Sequence, residues 1–227
     1  AQLVGAGGEV VGVDMSSASL RLGQAFVNRF ALKGVRFVQA SVFDFPLKPE
    51  RFDLLYCSGV LHHTRDPEKA FSIILNALKP GGYVILGLYN TYGRLPTDFR
   101  RLVFRLTGGR GRSLDHVIRS KRLDSEKALV WYMDQYRNPH ESKHSVDEVL
   151  TWFRRYGVEY VNAVPSIRPG GDGGGNSLFA RRDPGGRLAH LFCQLKWIFT
   201  IGREGALFLM IGRKKRSPEI SGGSTPS

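Results

Sequence analysis

Between Glu9 and Asn90 the apolar positions switch repeatedly between short solid runs and helical spacing. Glu9–Val13 is a β-branched run that ends at Asp14 and predicts a first strand. Ser16 is placed to cap the helix that follows, in which Leu20, Ala25, Val27, Phe30 and Ala31 recur near helical spacing. Gly34 stops it, and Val35–Gln39 predicts a second strand. Arg51–Cys57 predicts a third, nearly all apolar after Asp53. Asp66-Pro67 then offers an N-cap with proline at the first helical position. Ala70, Phe71, Ile73, Ile74, Ala77 and Leu78 form the apolar stripe of that helix. Lys79-Pro80-Gly81-Gly82 is expected to end it, and Tyr83–Leu88 to form a fourth strand. Solid apolar strands alternating with amphipathic helices predict an α/β fold. Its parallel sheet is covered on both faces, with all strand C-termini along one ligand-binding edge.

After Tyr89 the pattern changes. Residues 90–143 are basic and aromatic and read as helical pieces broken at Gly108, Gly109 and Gly111. Ser145-Val146-Asp147-Glu148 is a capping box opening a helix to about Tyr156. Val158–Val164 reads as a strand, residues 168–187 as a loop, about 188–200 as a helix and Ala206–Ile211 as a last strand. Residues 217–227 form a polar Gly/Ser/Pro tail, expected to be disordered.

Charge sharpens this division. The formal net charge is +13, of which residues 1–90 carry +2 and residues 91–227 carry +11. Such a surface suits an anionic partner, whether RNA, an anionic membrane surface or a charged small molecule, or it is simply a solvated basic face. Cys57 and Cys193 are too far apart in sequence for a disulfide framework or a zinc spacing and read as reduced core residues. That fits a reducing, cytoplasmic setting. The chain begins at Ala1 rather than Met, so the natural start is expected upstream.

Gly5-Ala6-Gly7-Gly8 superficially matches a dinucleotide-binding loop, but only six residues separate Gly7 from Asp14, and a strand fills them. There is no room for the required helix, so these glycines read as a turn. Asp14 itself stands at the C-terminal tip of a strand. An acid there either accepts hydrogen bonds from ribose hydroxyls or serves as a turn or cap acid.

The segments EVVGVDMS (9–16), VRFVQASVFDFPLKPERFDLLYCSGVLHHTRDPEKAF (35–71) and LKPGGYVILGLYN (78–90) together resemble class I S-adenosylmethionine-dependent methyltransferases of the type 11 kind. DQYRNPHESKHSVDEVLTWFRRYGVEYVN (134–162) resembles the part of such enzymes that precedes their last two strands. The resemblance implies a Rossmann-like sheet with an antiparallel last strand and a helical insertion before the last two strands. It implies S-adenosyl-L-methionine as cofactor and methyl transfer as the activity. It places the cofactor ribose on Asp14, the adenine against Met15 and beside Ser41, Val42 and Phe43, and the methionine moiety beside Cys57, Ser58 and Gly59. The family often has an acid where this chain has Ser41. The family's first strand and glycine-rich loop are not found here, so the chain is expected to be a fragment of a longer protein. The expected organisation is a truncated cofactor-binding part (1–90), a basic substrate-binding insertion (91–144), the rest of the core (145–216) and the tail (217–227).

Methyl transfer needs alignment and a dry site, with a general base only where the acceptor loses a proton. His62 and His63 lie just beyond a strand tip; one is a candidate base, or both are structural. His63 is the better match to the family's loop histidine. A second cluster holds Asp134, Tyr136, His140, Glu141 and His144. His140–His144 fits H-E-x-x-H, but both histidines fall before the predicted helix rather than along it, so no metal is expected. The segment lines the acceptor pocket or is a structural loop. Arg94, Arg100, Arg101, Arg105, Arg110 and Arg112 interleave with Tyr89, Tyr92, Phe99 and Phe104. That mix suits RNA or an anionic acceptor; the favoured reading packs the aromatics on the core with the arginines outside. Leu188, Leu191, Phe192, Leu195 and Trp197 are expected to cover a sheet edge, with a membrane surface as the alternative. Two rivals remain: a nicotinamide-dependent oxidoreductase, and a non-catalytic RNA- or membrane-binding protein on the same fold.

Overall fold

The computed structural model describes residues 7–44, 47–106, 141–171, 177–202 and 205–216. The chain divides into two compact units, residues 1–49 and 50–227.

The first unit is built on β1 (Val10–Asp14), α1 (Ser17–Arg29) and β2 (Val35–Gln39), followed by a single helical turn over Val42–Asp44. The strands pair in parallel from Val10↔Val35 to Asp14↔Gln39, so both C-terminal tips lie at one end. Ser16 caps α1 by accepting from the Ser19 amide. Gly12 is required by close approach, since a β-carbon there would come within 2.8 Å of the Phe37 ring. The expected stripe of α1 is corrected: Val27 is buried, whereas Ala25, Phe30 and Ala31 are exposed.

The second unit contains β3 (Phe52–Ser58), α2 (Pro67–Leu75), β4 (Leu78–Tyr89), α3 (Leu95–Leu106), α4 (Val146–Arg155), β5 (Val158–Val164), α5 (Arg187–Thr200) and β6 (Leu207–Lys214). Its sheet has the order β3-β4-β6-β5. β3 and β4 are parallel, and β6 runs antiparallel to both its neighbours. The described strands thus pair as a two-stranded group in the first unit and a four-stranded group in the second. β4 is longer than expected. Lys79–Gly82 belongs to it rather than to a turn, and the extra residues are taken up by a register shift between Phe52 and Leu54 on β3. Asp66 caps α2 with Pro67 at its start, and Ser145 opens α4 with a complete capping box.

The core of this unit is aromatic and aliphatic. Phe71 of α2 stacks on Phe153 of α4 at 5.8 Å, and Phe153, Phe208, Met210 and Ile211 are buried. Full burial of such a side chain contributes roughly 1.5–3 kcal/mol. A β-carbon at Gly212 would meet Val158 at 2.3 Å and Phe153 at 2.7 Å, so β6 admits only glycine where α4 crosses it.

Candidate active site

Two sets of residues stand at strand C-terminal ends, one in each unit. In the first unit, Asp14 Oδ1 accepts from the Ser16 amide at 2.7 Å. Oδ2 has no protein partner among the described residues, and the residue is exposed. The Gln39 side chain donates to the Met15 carbonyl at 3.0 Å, tying the two strand tips together. Met15 exposes its side chain to solvent. Ser41 Oγ accepts from the Phe43 amide at 3.1 Å and shapes the turn over Val42 and Phe43. The structure thus brings Asp14, Met15, Ser41, Val42 and Phe43 to one end of a parallel pair.

In the second unit, Cys57 and Ser58 end β3. Burial pushes the Cys57 thiol up to about 12, against a smaller opposing pull from the Leu61 backbone. It stays protonated and is a poor nucleophile. The Ser58 side chain lies directly over Gly87, where a β-carbon would come 2.2 Å from Ser58 Oγ. Gly59 takes φ +77°, donates to the Gly87 carbonyl at 3.1 Å and has open space where a β-carbon would sit.

Beyond these tips lies a buried polar cluster. Asn90 closes β4: its side-chain oxygen accepts from the amides of Tyr92 and Gly93, and its amide donates to Gln194 at 2.9 Å and to the His144 carbonyl at 3.3 Å. The segment 141–145 is laid along this end. His144 N donates to the Tyr89 carbonyl at 2.9 Å, and Ser142 N to the His62 carbonyl at 2.8 Å. At its centre Glu141 is clasped by two arginines. Arg94 Nε and Nη2 reach its oxygens at 3.0 and 2.5 Å, and Arg101 Nη1 and Nη2 at 2.9 and 2.7 Å. Arg94 is wholly buried and also lies 4.0 Å over the Tyr89 ring. Burial alone would raise the Glu141 carboxyl, but the hydrogen bonds and charges of the two arginines outweigh it and bring it to about 2.

The favoured packing of the basic insertion is therefore inverted at two places. Arg94 is inside and Phe99 is exposed. A guanidinium fills an interior position because Glu141 and the Tyr89 face replace its lost hydration. Nothing local in the sequence marks this pair, whose members are 47 residues apart. Arg110, Arg112, Asp134, Tyr136 and His140 lie outside the described residues.

The two loop histidines differ. His62 is fully buried against Tyr89, with ring centroids 4.0 Å apart. Neither of its nitrogens has a hydrogen-bond partner among the described residues. Burial, reinforced by His63, lowers it to about 3, so it is a neutral imidazole with one donor and one acceptor unused. His63 is half-buried, at 4.2 Å from His62. His144 is engaged at both nitrogens: Nε2 meets Ser142 Oγ at 2.7 Å and Nδ1 meets Glu148 Oε1 at 2.9 Å. It lies before α4, as the H-E-x-x-H argument expected, and is held in a hydrogen-bonded chain. Among the described residues no group of metal-ligating side chains gathers to hold an ion.

The sequence profile of the methyltransferase domain family matches residues 1–154. The chain belongs to the methyltransferase domain family. This membership sets aside the nicotinamide-dependent alternative. An uncharacterised Synechococcus protein is 24% identical over 175 residues, covering 67% of this chain and 42% of the relative. A ubiquinone/menaquinone biosynthesis C-methyltransferase of Idiomarina loihiensis is 37% identical over 84 residues, 37% of this chain and 34% of the relative. A tRNA U34 carboxymethyltransferase of Campylobacter curvus is 31% identical over 87 residues, 33% and 29% of the two chains. The chain spans less than half the length of these relatives. The fold is shared with PKMT2 of Rickettsia typhi, whose structure was determined in complex with AdoHcy. The TM-score is 0.62 at 15% identity, covering 93% of this methyltransferase-family chain and 45% of that one. It is shared too with an S-adenosylmethionine-dependent methyltransferase of Mesorhizobium loti, at a TM-score of 0.51 and 17% identity over 91% and 80% of the two chains.

Proposed function

We propose that this chain forms part of an S-adenosylmethionine-dependent methyltransferase acting in the cytoplasm on a small or anionic acceptor. The observation that carries the reading is Asp14: an exposed carboxylate at a parallel strand tip, oriented through one oxygen by Ser16 and with the other oxygen open. That donor set fits ribose hydroxyls, which need an acceptor fixed in place. Met15 offers an exposed apolar face for an adenine ring. Ser41 keeps its hydroxyl proton to donate, since its oxygen already accepts from Phe43. When bound, the cofactor supplies a methyl group on a sulfonium, and in-line displacement then depends on alignment more than on side-chain chemistry.

The chain's own residues divide the remaining work. Cys57 stays a thiol and leaves Ser58 and Gly59 as a neutral, open strand end. His62 is too weak a base to store a proton, and its ring, wholly buried against Tyr89, would serve by packing the loop that carries His63. Where an acceptor must lose a proton, His63 or the Ser142–His144–Glu148 chain would take it. That chain leads from the buried loop to a half-exposed carboxylate. The basic half supports an anionic acceptor, and an RNA substrate is the second form of the same reading.

Titration calorimetry with S-adenosylhomocysteine tests the proposal. Asp14→Ala should weaken binding about tenfold to hundredfold, the worth of a hydrogen bond to a charged group. Binding by the folded parent that is indifferent to Asp14 would overturn it.

A further inference from the structure

Helix α5 has two apolar faces. His190, Cys193, Gln194 and Trp197 form the buried one. The other carries Leu188, Leu191, Phe192, Leu195 and Phe199, which recur at helical spacing and remain exposed: Leu188 by 84%, Phe192 by 60% and Phe199 by 75%. Single exposed apolar residues need no explanation, but a continuous stripe over three turns marks a surface that something covers. A second stripe continues it within the same unit. Leu95, Phe99 and Leu102 are exposed along α3. The start of α3 abuts the end of α5, since a β-carbon at Gly202 would lie 2.6 Å from the Gly93 carbonyl and 3.1 Å from Pro96.

Charge indicates what covers it. α5 contains no acidic residue. Arg187 and Lys196 on the helix are exposed, as are Arg181 and Arg182 on the loop leading to it. Lys196 lies four residues after Phe192, so its stem runs beside the stripe with the ammonium at the rim. A second copy of the chain would bring these cations against one another. A membrane surface with anionic headgroups would pair them instead, with the aromatic and leucine side chains in the headgroup–acyl boundary. Among the described residues no helix is long and apolar enough to cross a membrane, and the contact inferred here is with the surface.

We infer that α5, continued by α3, docks the protein on an anionic phospholipid surface. The inference is independent of the cofactor reading, because it uses none of the strand-tip residues.

Co-sedimentation with vesicles tests it, using phosphatidylcholine alone and phosphatidylcholine mixed with phosphatidylglycerol. The protein should pellet with the mixed vesicles and remain free with the neutral ones. Phe192→Ser with Phe199→Ser should abolish pelleting while leaving the circular dichroism and the S-adenosylhomocysteine titration of the parent unchanged. Arg187→Ser with Lys196→Ser, which keeps the stripe intact, should weaken partitioning about tenfold or more. The inference is overturned by pelleting that ignores lipid charge, by no pelleting with either vesicle, or by pelleting insensitive to the phenylalanine pair. It is also overturned by a solution dimer that the phenylalanine pair dissociates, which would assign the stripe to a second copy.

Discussion

The strand tip in the first unit and the cluster in the second use charge in opposite ways. Asp14 is an exposed carboxylate with one backbone partner and one open oxygen. Glu141 is a buried carboxylate with four hydrogen bonds from two guanidiniums. An exposed acid is hydrated in the free protein and contributes little to folding, so its value lies in what it binds. A buried acid with every lone pair engaged has nothing left to offer a ligand, so its value lies in fixing the chain around it. Glu141 fastens the segment 141–145 across the ends of β3 and β4. That position makes the residue a scaffold for the segment laid over His62 and Tyr89.

The largest expected effect breaks this scaffold. Glu141→Gln leaves the buried Arg94 without its counter-charge, and such losses cost about 3–5 kcal/mol. The urea midpoint of the second unit should fall sharply. Asp14→Ala should leave it almost unmoved while weakening the cofactor titration. Equal effects on stability at the two sites would dissolve the distinction between them. The acid limb gives the same contrast without mutation. The Glu141 carboxyl is lowered in the folded state from 4.5 to about 2. Its contribution is therefore complete above about pH 4.5 and lost as pH falls toward 2.

The comparison also shows where sequence reading reached and where it stopped. Asp14 was legible because a strand tip is a local feature: a β-branched run, an acid and a capping serine lie within eight residues. The capping box at Ser145 was legible for the same reason. The Arg94–Glu141–Arg101 clasp was not, because its members join only after the turn at Asn90 and the return of residue 141 to β4. The α5 faces were misassigned by a related limit. Both stripes have helical spacing, and only tertiary contact shows that Gln194 and His190 face inward while leucines and phenylalanines face out. The buried polar face is held by hydrogen bonds of Gln194 to Asn90 and of His190 to Asp147, which no periodicity encodes.

A smaller effect, of opposite sign, is expected at His62. Its two unpartnered nitrogens carry a desolvation cost of roughly 1–3 kcal/mol that no protein contact offsets. His62→Phe keeps the ring against Tyr89 and removes that cost, so thermal stability at neutral pH should rise. The pH dependence sharpens the test. In the parent, the unfolded chain takes up a proton near pH 6.5 while the folded histidine resists until about 3. The unfolded state binds more protons throughout that window, so stability falls as pH drops through it. The variant should lose this slope. If the buried His62 ring positions His63, methyl transfer should fall in the same variant. A variant that is more stable and equally active would leave His62 a purely structural residue.

The smallest effect compares two helix starts. Ser16 accepts from Ser19 N at 3.3 Å at the start of α1. Ser145 accepts from Glu148 N at 3.2 Å, and Glu148 Oε2 accepts from Ser145 N at 3.3 Å while its other oxygen holds His144. Removing a capping hydroxyl typically costs about 0.5–2 kcal/mol. Ser16→Ala should fall at the lower end, since α1 has little burial beyond Val27 to amplify a frayed end. Ser145→Ala should fall at the upper end, because loosening Glu148 also loosens His144 and the Ser142 bond beyond it. Urea midpoints compare the two losses directly. Equal losses would mean that the capping box is not coupled to the histidine. A larger loss at Ser145, accompanied by a changed imidazole shift of His144 in the NMR spectrum, would tie the fold of α4 to the hydrogen-bonded chain at the site.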